Sequence, residues 1–199
     1  MRICLFLLVG LSALATMPSN ARASGHIYLI RGLADIFSTG LNVLAQELTK
    51  RGYTATTHGH DEFHSLAVEA AKEQESGKGP IIIIGHSLGA NAAVFMADKM
   101  QDEGAPVALI VTFSPTLDLI VPSNVAQIVN YHLASGLWKG TIHRGPGFKG
   151  VMTNINLDSD PNITHLNIDK IARLHSEVIA KVRSITGPAT RKSSPEARR

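Results

Sequence analysis

The stretch Gly79–Ala93, GPIIIIGHSLGANAA, constrains this chain more than any other. Four consecutive isoleucines are apolar whichever way an extended chain turns them. They fit a strand buried on both faces in the middle of a parallel sheet. They run straight into Gly85-His86-Ser87-Leu88-Gly89, and small residues then open a helical pattern reaching Asp102. A serine between two glycines at a strand-to-helix junction predicts a sharp, strained turn that lifts the hydroxyl clear of the sheet. Side chains at Gly85 or Gly89 would collide with the neighbouring strand and helix. Ser87 would stand at a helix N-terminus, where backbone N–H groups and the helix dipole favour a developing negative charge. The plainer role for Ser87 is a helix cap; the sharper one is a nucleophile.

Around this turn, short apolar runs alternate with helical patterns. His26–Ile30 reads as a strand. Ser38 can cap the helix that follows, in which Leu41, Leu44, Ala45 and Leu48 share one face and which Gly52 stops. YTATTH and HSLAVEAAKEQESG form a second strand and helix. VALIVTF and VAQIVNYH supply a fourth and fifth strand, and Val151–Leu157 a sixth. NIDKIARLHSEVIAKVRSI closes the chain as an amphipathic helix. Alternation with short links means right-handed crossovers, a mostly parallel, doubly wound α/β sheet of about six strands, and helices on both faces. The segment SGLWKGTIHRGPGFKG departs from this rhythm. It reads as a flexible loop near the carboxyl ends of the strands, where open α/β sheets bind ligands. Its Leu137, Trp138 and Phe148 could line an apolar pocket.

The sequence GHSLGA resembles the nucleophile elbow of the α/β-hydrolases, the superfamily of lipases, esterases and thioesterases. RGLAD, after the first strand, is similar to the HGL oxyanion turn of bacterial lipases, with Arg31 in place of histidine. The resemblance implies that the Leu33 and Leu88 amides form an oxyanion hole and that the order is nucleophile, acid, histidine. Of the histidines after Ser87, His132 ends a strand, His143 lies in the glycine-rich segment and His175 lies inside the last helix. His165, in the loop before that helix, stands where the family's base resides. Asp118, after the fourth strand, is the expected acid, with Asp158 or Asp160 as alternatives. Its role would be to hold the histidine tautomer and stabilise the imidazolium. A base of ordinary pKa predicts that kcat/KM rises between about pH 6 and 8. His86 would help to fix the turn.

The first 23 residues read as an export leader. Arg2 precedes an apolar run, Ile3–Ala15, that falls short of a membrane span, and Ala21-Arg22-Ala23 supplies a cleavage site. The hydrolase domain would occupy residues 24–186 and a basic, disordered tail residues 187–199. The mature chain of about 176 residues leaves no room for a cap domain. Cys4 lies in the leader, so neither a disulfide nor a thiol nucleophile is expected after cleavage. Charge argues against a nucleic-acid partner: between leader and tail stand 13 basic and 15 acidic residues. Stable membrane insertion is not expected either.

The leading expectation is therefore an exported serine hydrolase that needs no cofactor and acts on a small-molecule or lipid acyl ester or thioester. A binding protein that kept the fold without the chemistry is the alternative from another class. A metal-dependent hydrolase using His58, His60 and His64 is the third. HGHDEFH falls short of the metallo-β-lactamase-like pattern, since Glu62 and Phe63 stand where Asp and His belong. SGKG lacks the upstream glycine and following Ser/Thr of a P-loop, and Asn162-Ile-Thr164 matches the glycosylation pattern by chance.

Overall fold

The computed structural model describes residues 25–33 and 38–188. The expected leader, and the expected tail beyond Pro188, lie outside the described residues. In chain order the elements are β1 (His26–Ile30), α1 (Thr39–Lys50), β2 (Thr54–His58), α2 (Phe63–Glu75), β3 (Ile81–His86) and α3 (Leu88–Asp102). Then follow β4 (Leu109–Phe113), β5 (Leu119–Val121), β6 (Gln127–His132), β7 (Ile142–Arg144), β8 (Val151–Asn156) and α4 (Ala172–Thr186). Six strands make one parallel sheet in the order β2-β1-β3-β4-β6-β8. The expected doubly wound α/β architecture is borne out.

The isoleucine run divides between two cores, as side-chain alternation along a strand requires. Ile81 and Ile83 pack with Leu66, Ala70, Ala93 and Met96 on the α2/α3 side. Ile82 and Ile84 pack with Leu41, Leu44, Leu174 and Val178 on the α1/α4 side. A strand with no solvent face has no use for polar residues, which is why β3 carries none before His86. The pattern read for α1 also holds: Leu41, Leu44, Ala45 and Leu48 are all buried.

Two expectations are corrected. The glycine-rich segment is not loop throughout. Its Ile142–Arg144 forms β7, which pairs in parallel with β5 as a separate two-stranded sheet. Ser38 does not cap α1 with its side chain; its hydroxyl is used elsewhere.

Parallel register brings the carboxyl ends of the central strands to one edge. Ile30 lies beside Gly85, His86 beside Phe113, and Phe113 beside Tyr131. The turns that follow β1, β3 and β4 therefore emerge together. Close approach there depends on glycine. A Cβ on Gly85 would run into the carbonyl of Gly89, and one on Gly89 into the carbonyl of Ile30. Gly89→Ala should cost about 3 kcal/mol by overpacking and lower Tm by roughly 6–12 °C. Thermal unfolding of the variant checks this; an unchanged Tm would mean that β1 and α3 are not in backbone contact.

Candidate active site

Ser87 is held at φ 58° and ψ −123°, a conformation that non-glycine residues avoid. Its N–H donates to the Phe113 carbonyl at 3.0 Å, and its own carbonyl accepts from the Ala90 amide at 2.9 Å. The strained turn is thus tied to both the adjacent strand and the helix it opens. Its Oγ lies 2.9 Å from Nε2 of His165. His165 stands in the loop between β8 and α4, which braces itself: Thr164 N–H donates to Asn167 Oδ1 at 2.7 Å and Asn167 Nδ2 to the Asn162 carbonyl at 2.9 Å.

The other imidazole nitrogen, Nδ1, lies 2.7 Å from Oγ of Ser114. Ser114 immediately follows β4, is buried, and has a positive φ of 47°. Its N–H donates to the Tyr131 carbonyl at 2.8 Å. Asn91 on α3 holds the next turn, donating to Thr116 Oγ1 at 2.7 Å and accepting from the Thr116 amide at 3.0 Å.

Beneath the pair sits a buried hydrogen-bonded chain. His86 Nε2 donates to the His165 carbonyl at 2.8 Å. A carbonyl only accepts, so the proton is on Nε2 and Nδ1 is an acceptor. Ser38 Oγ, 2.9 Å from that Nδ1, can donate to it while accepting from the Gly32 amide at 2.9 Å. The turn after β1, the elbow and the histidine loop are thereby fastened through two side chains. Asp169 lies below: Oδ2 accepts from the Gly40 amide at 2.9 Å, and Oδ1 is 3.9 Å from His86 Nδ1. Burial pushes its carboxyl up to about 6.

Comparison with known proteins fits this geometry. A thioesterase-domain family model matches residues 21–118, which include the elbow and end before His165. A protein assigned to the α/β-hydrolases from Agrobacterium tumefaciens is 17% identical with a TM-score of 0.54; the match covers 86% of this chain and 90% of that one. An α/β-superfamily protein from Xanthomonas campestris pv. campestris is 15% identical, with a TM-score of 0.51 over 79% of this chain and 99% of its own. Est1E from Butyrivibrio proteoclasticus is 12% identical, with a TM-score of 0.51 over 84% and 92%. No curated protein matches the sequence. The chain has the α/β-hydrolase fold.

Against that fold, the residues expected to form the site separate into two groups. Ser87, His165 and Trp138 come together, and Leu33 and Leu88 border the same pocket of about 360 Å³, with Leu166 and Thr116. Leu88 is the first residue of α3, so its N–H has no acceptor within the helix. The turn carrying Leu33 abuts the serine: a Cβ on Gly32 would lie 3.0 Å from Ser87 Cβ. Trp138 stacks on His165 with ring centroids 4.6 Å apart and planes at 26°. Trp138 and His165 also border a neighbouring hollow of about 370 Å³ that contains Leu137.

Asp118 and Phe148 are placed elsewhere. Asp118 is exposed and accepts from the Thr141 amide at 3.0 Å, joining the ends of β5 and β7. The Thr141 hydroxyl donates to the same carboxylate, and these two hydrogen bonds hold it below the usual range. It is not the partner of His165. Nor do the alternatives serve. Asp158 accepts from the Ala134 amide and the Ser135 hydroxyl. Asp160 accepts from the Asn162 amide and side chain. The hydrogen-bond partner at Nδ1 is the hydroxyl of Ser114, which a search restricted to carboxylates passes over. Phe148 is buried in the α2/α3-side core under the Arg144 guanidinium, 5.2 Å from its ring centroid, because the β5/β7 sheet folds the segment down.

Two other histidines that follow Ser87 are engaged elsewhere. His175 is buried, with Nε2 2.6 Å from the Asp169 carbonyl, and His143 Nε2 lies 2.8 Å from Thr141 Oγ1. His58, His60 and His64 do not converge. Among the described residues, the ligand atoms that gather within 4.8 Å belong to His26, Glu69 and Glu73.

Burial lowers His165 to about 4, and the nearby His86 adds to the shift. Burial also lowers His86 to about 4. A depressed pKa leaves the imidazole neutral, and able to accept a proton, at every pH above that value. The acid limb of kcat/KM should therefore fall near pH 4, with little change from pH 6 to 8, replacing the profile expected of an ordinary histidine. A pH–rate profile, with NMR titration of the His165 Cε1–H, tests this; a limb near 6.5 in both would refute it.

Proposed function

We propose that this chain is a serine hydrolase of acyl esters or thioesters, with Ser87 as nucleophile, His165 as general base and Ser114 orienting the base. The observation that carries the proposal is the 2.9 Å contact between His165 Nε2 and Ser87 Oγ on a strained elbow. In the productive tautomer Nδ1–H donates to Ser114 Oγ, leaving the Nε2 lone pair to accept the serine proton. Oγ then bonds to the substrate carbonyl carbon, and the carbonyl π pair moves onto oxygen facing the Leu88 and Leu33 amides. The oxyanion pair re-forms the carbonyl as the bond to the alcohol or thiol breaks, and the imidazolium gives its proton to that leaving group. Water, deprotonated by His165, then bonds to the acyl carbon; the bond to Ser87 Oγ breaks, Oγ takes back the proton, and the acid is released.

A hydroxyl preserves the tautomer but brings no negative charge to the imidazolium. Exchanging a charged acceptor for a neutral one weakens that hydrogen bond by about 1–1.5 kcal/mol, on the order of tenfold in rate. The thioesterase-domain match and the apolar pocket walls support an acyl substrate. The leader sequence supports export. Among the described residues no helix is long and apolar enough to cross a membrane.

Among the described residues no carboxylate hydrogen-bonds His165, the observation that favours a non-catalytic binding protein, and two experiments separate the readings. A fluorophosphonate probe should label Ser87 in the wild type and leave Ser87→Ala unlabelled, with nearly the same Tm. In ester hydrolysis, Ser114→Ala should lower kcat about tenfold or more by losing the tautomer, while Asp118→Asn stays within about twofold. A greater loss in Asp118→Asn than in Ser114→Ala would return the acid role to Asp118. A wild type inert to the probe would favour the binding protein.

A further inference from the structure

Proton transfer from Ser87 to His165 places a full positive charge on an imidazole that has, among the described residues, a hydroxyl and no carboxylate at each ring nitrogen. Among the described residues the surroundings add little to offset it. The His86 ring, with its centroid 5.3 Å away, is neutral over most of the pH range and already donates its proton to the His165 carbonyl. Asp158 and Asp160 border the hollow beside His165, but their carboxylates are tied to Ala134, Ser135 and Asn162. Asp169 lies behind His86, and Lys170 next to it is a cation. Against one face of the ring lies Trp138, nearly parallel, with centroids 4.6 Å apart.

An indole presents the most electron-rich face of any side chain, and a cation within about 6 Å of its centroid is attracted to it. Facing a neutral imidazole the contact is ordinary stacking; facing an imidazolium it becomes charge–quadrupole attraction. It therefore strengthens as the proton moves, the condition an interaction must meet to speed the chemical step. We propose that Trp138 is a positioning residue that acts through His165, its indole face stabilising the imidazolium where hydrolases of this type place a carboxylate. This rests on the serine-hydrolase reading. It differs from the acyl-lining role expected for Trp138 from the sequence, because stabilising a charge on the base does not depend on the length of the substrate.

Trp138 is the only tryptophan in the chain, so biosynthetic replacement of tryptophan by its fluorinated analogues alters this one ring. Fluorine drains the negative face while leaving shape nearly unchanged. Across unsubstituted, monofluoro, difluoro and tetrafluoro indole, the His165 pKa read by NMR should fall stepwise, since the protonated form loses support. The logarithm of kcat for 4-nitrophenyl acetate should fall in step, and by the same factor for 4-nitrophenyl octanoate. Trp138→Leu should lower kcat about 5- to 30-fold, with Trp138→Phe recovering part of the loss.

A His165 pKa indifferent to fluorination would overturn the proposal. So would a Trp138→Leu variant that keeps kcat on acetate while KM for octanoate rises, since the ring would then be an acyl wall alone. Wild-type protein that the fluorophosphonate fails to label would remove the hydrolase reading, and this proposal with it. Labelling with a flat fluorination series would remove this proposal alone.

Discussion

At the junction of β3 and α3 the backbone of Ser87 is held in a conformation that an L-residue occupies only under compulsion. The compulsion comes from three backbone segments meeting where no side chain fits: the end of β1, Gly85 and the first turn of α3. Hydrogen bonds from Ser87 N–H to Phe113 and from Ala90 N–H to Ser87 fix the turn on both sides. The rest of the site follows from that arrangement. The Ser87 hydroxyl faces the pocket, the helix N-terminus lies beside it, and the turn after β1 passes close enough to present Leu33.

Serine hydroxyls do three different jobs around this turn. That of Ser87 faces Nε2 of His165, that of Ser114 lies at the Nδ1 of the same ring, and that of Ser38 joins Gly32 to His86. A hydroxyl can donate or accept, so each serves an imidazole nitrogen, and that of Ser38 a backbone amide as well, without adding charge to a buried place. The arrangement fixes geometry well and stabilises charge weakly. It makes the imidazolium of His165 the costly species in the proposed mechanism, and burial, which lowers the pKa of His165, acts in the same direction. Among the described residues, the stacked indole is the group in contact with the ring whose electrostatics favour the protonated form.

The same loops that build the pocket explain why it is apolar and open. Leu33, Leu166 and Trp138 are substantially exposed, and each borders the cavity containing Ser87. Trp138 and His165 also form the wall shared with the second hollow, and Trp138 belongs to a segment that starts after β6 and is anchored again at β7. Strand pairing supplies that anchoring, and Asp118 adds a hydrogen bond from the Thr141 amide at the edge of the small sheet.

What the sequence determined by itself were features written in local pattern. The buried run of isoleucines, the two glycines about Ser87, the helix Leu88–Asp102 and the apolar face of α1 each follow from side-chain volume and period, and each is found. The approach of His165 to Ser87 was legible through the order of elements in the family that GHSLGA resembles. What tertiary structure decided was pairing between distant segments. β5 and β7 are three residues each, too short for a periodic signal, and exist because they lie side by side. Once they pair, Phe148 turns into the core and Asp118 turns to Thr141. Ser114, one residue past β4, is left facing the imidazole. A sequence shows which residues carry a carboxylate; only the folded chain decides which hydroxyl stands within 2.7 Å of a ring nitrogen, because that distance is set by strand register and a strained turn, not by spacing along the chain.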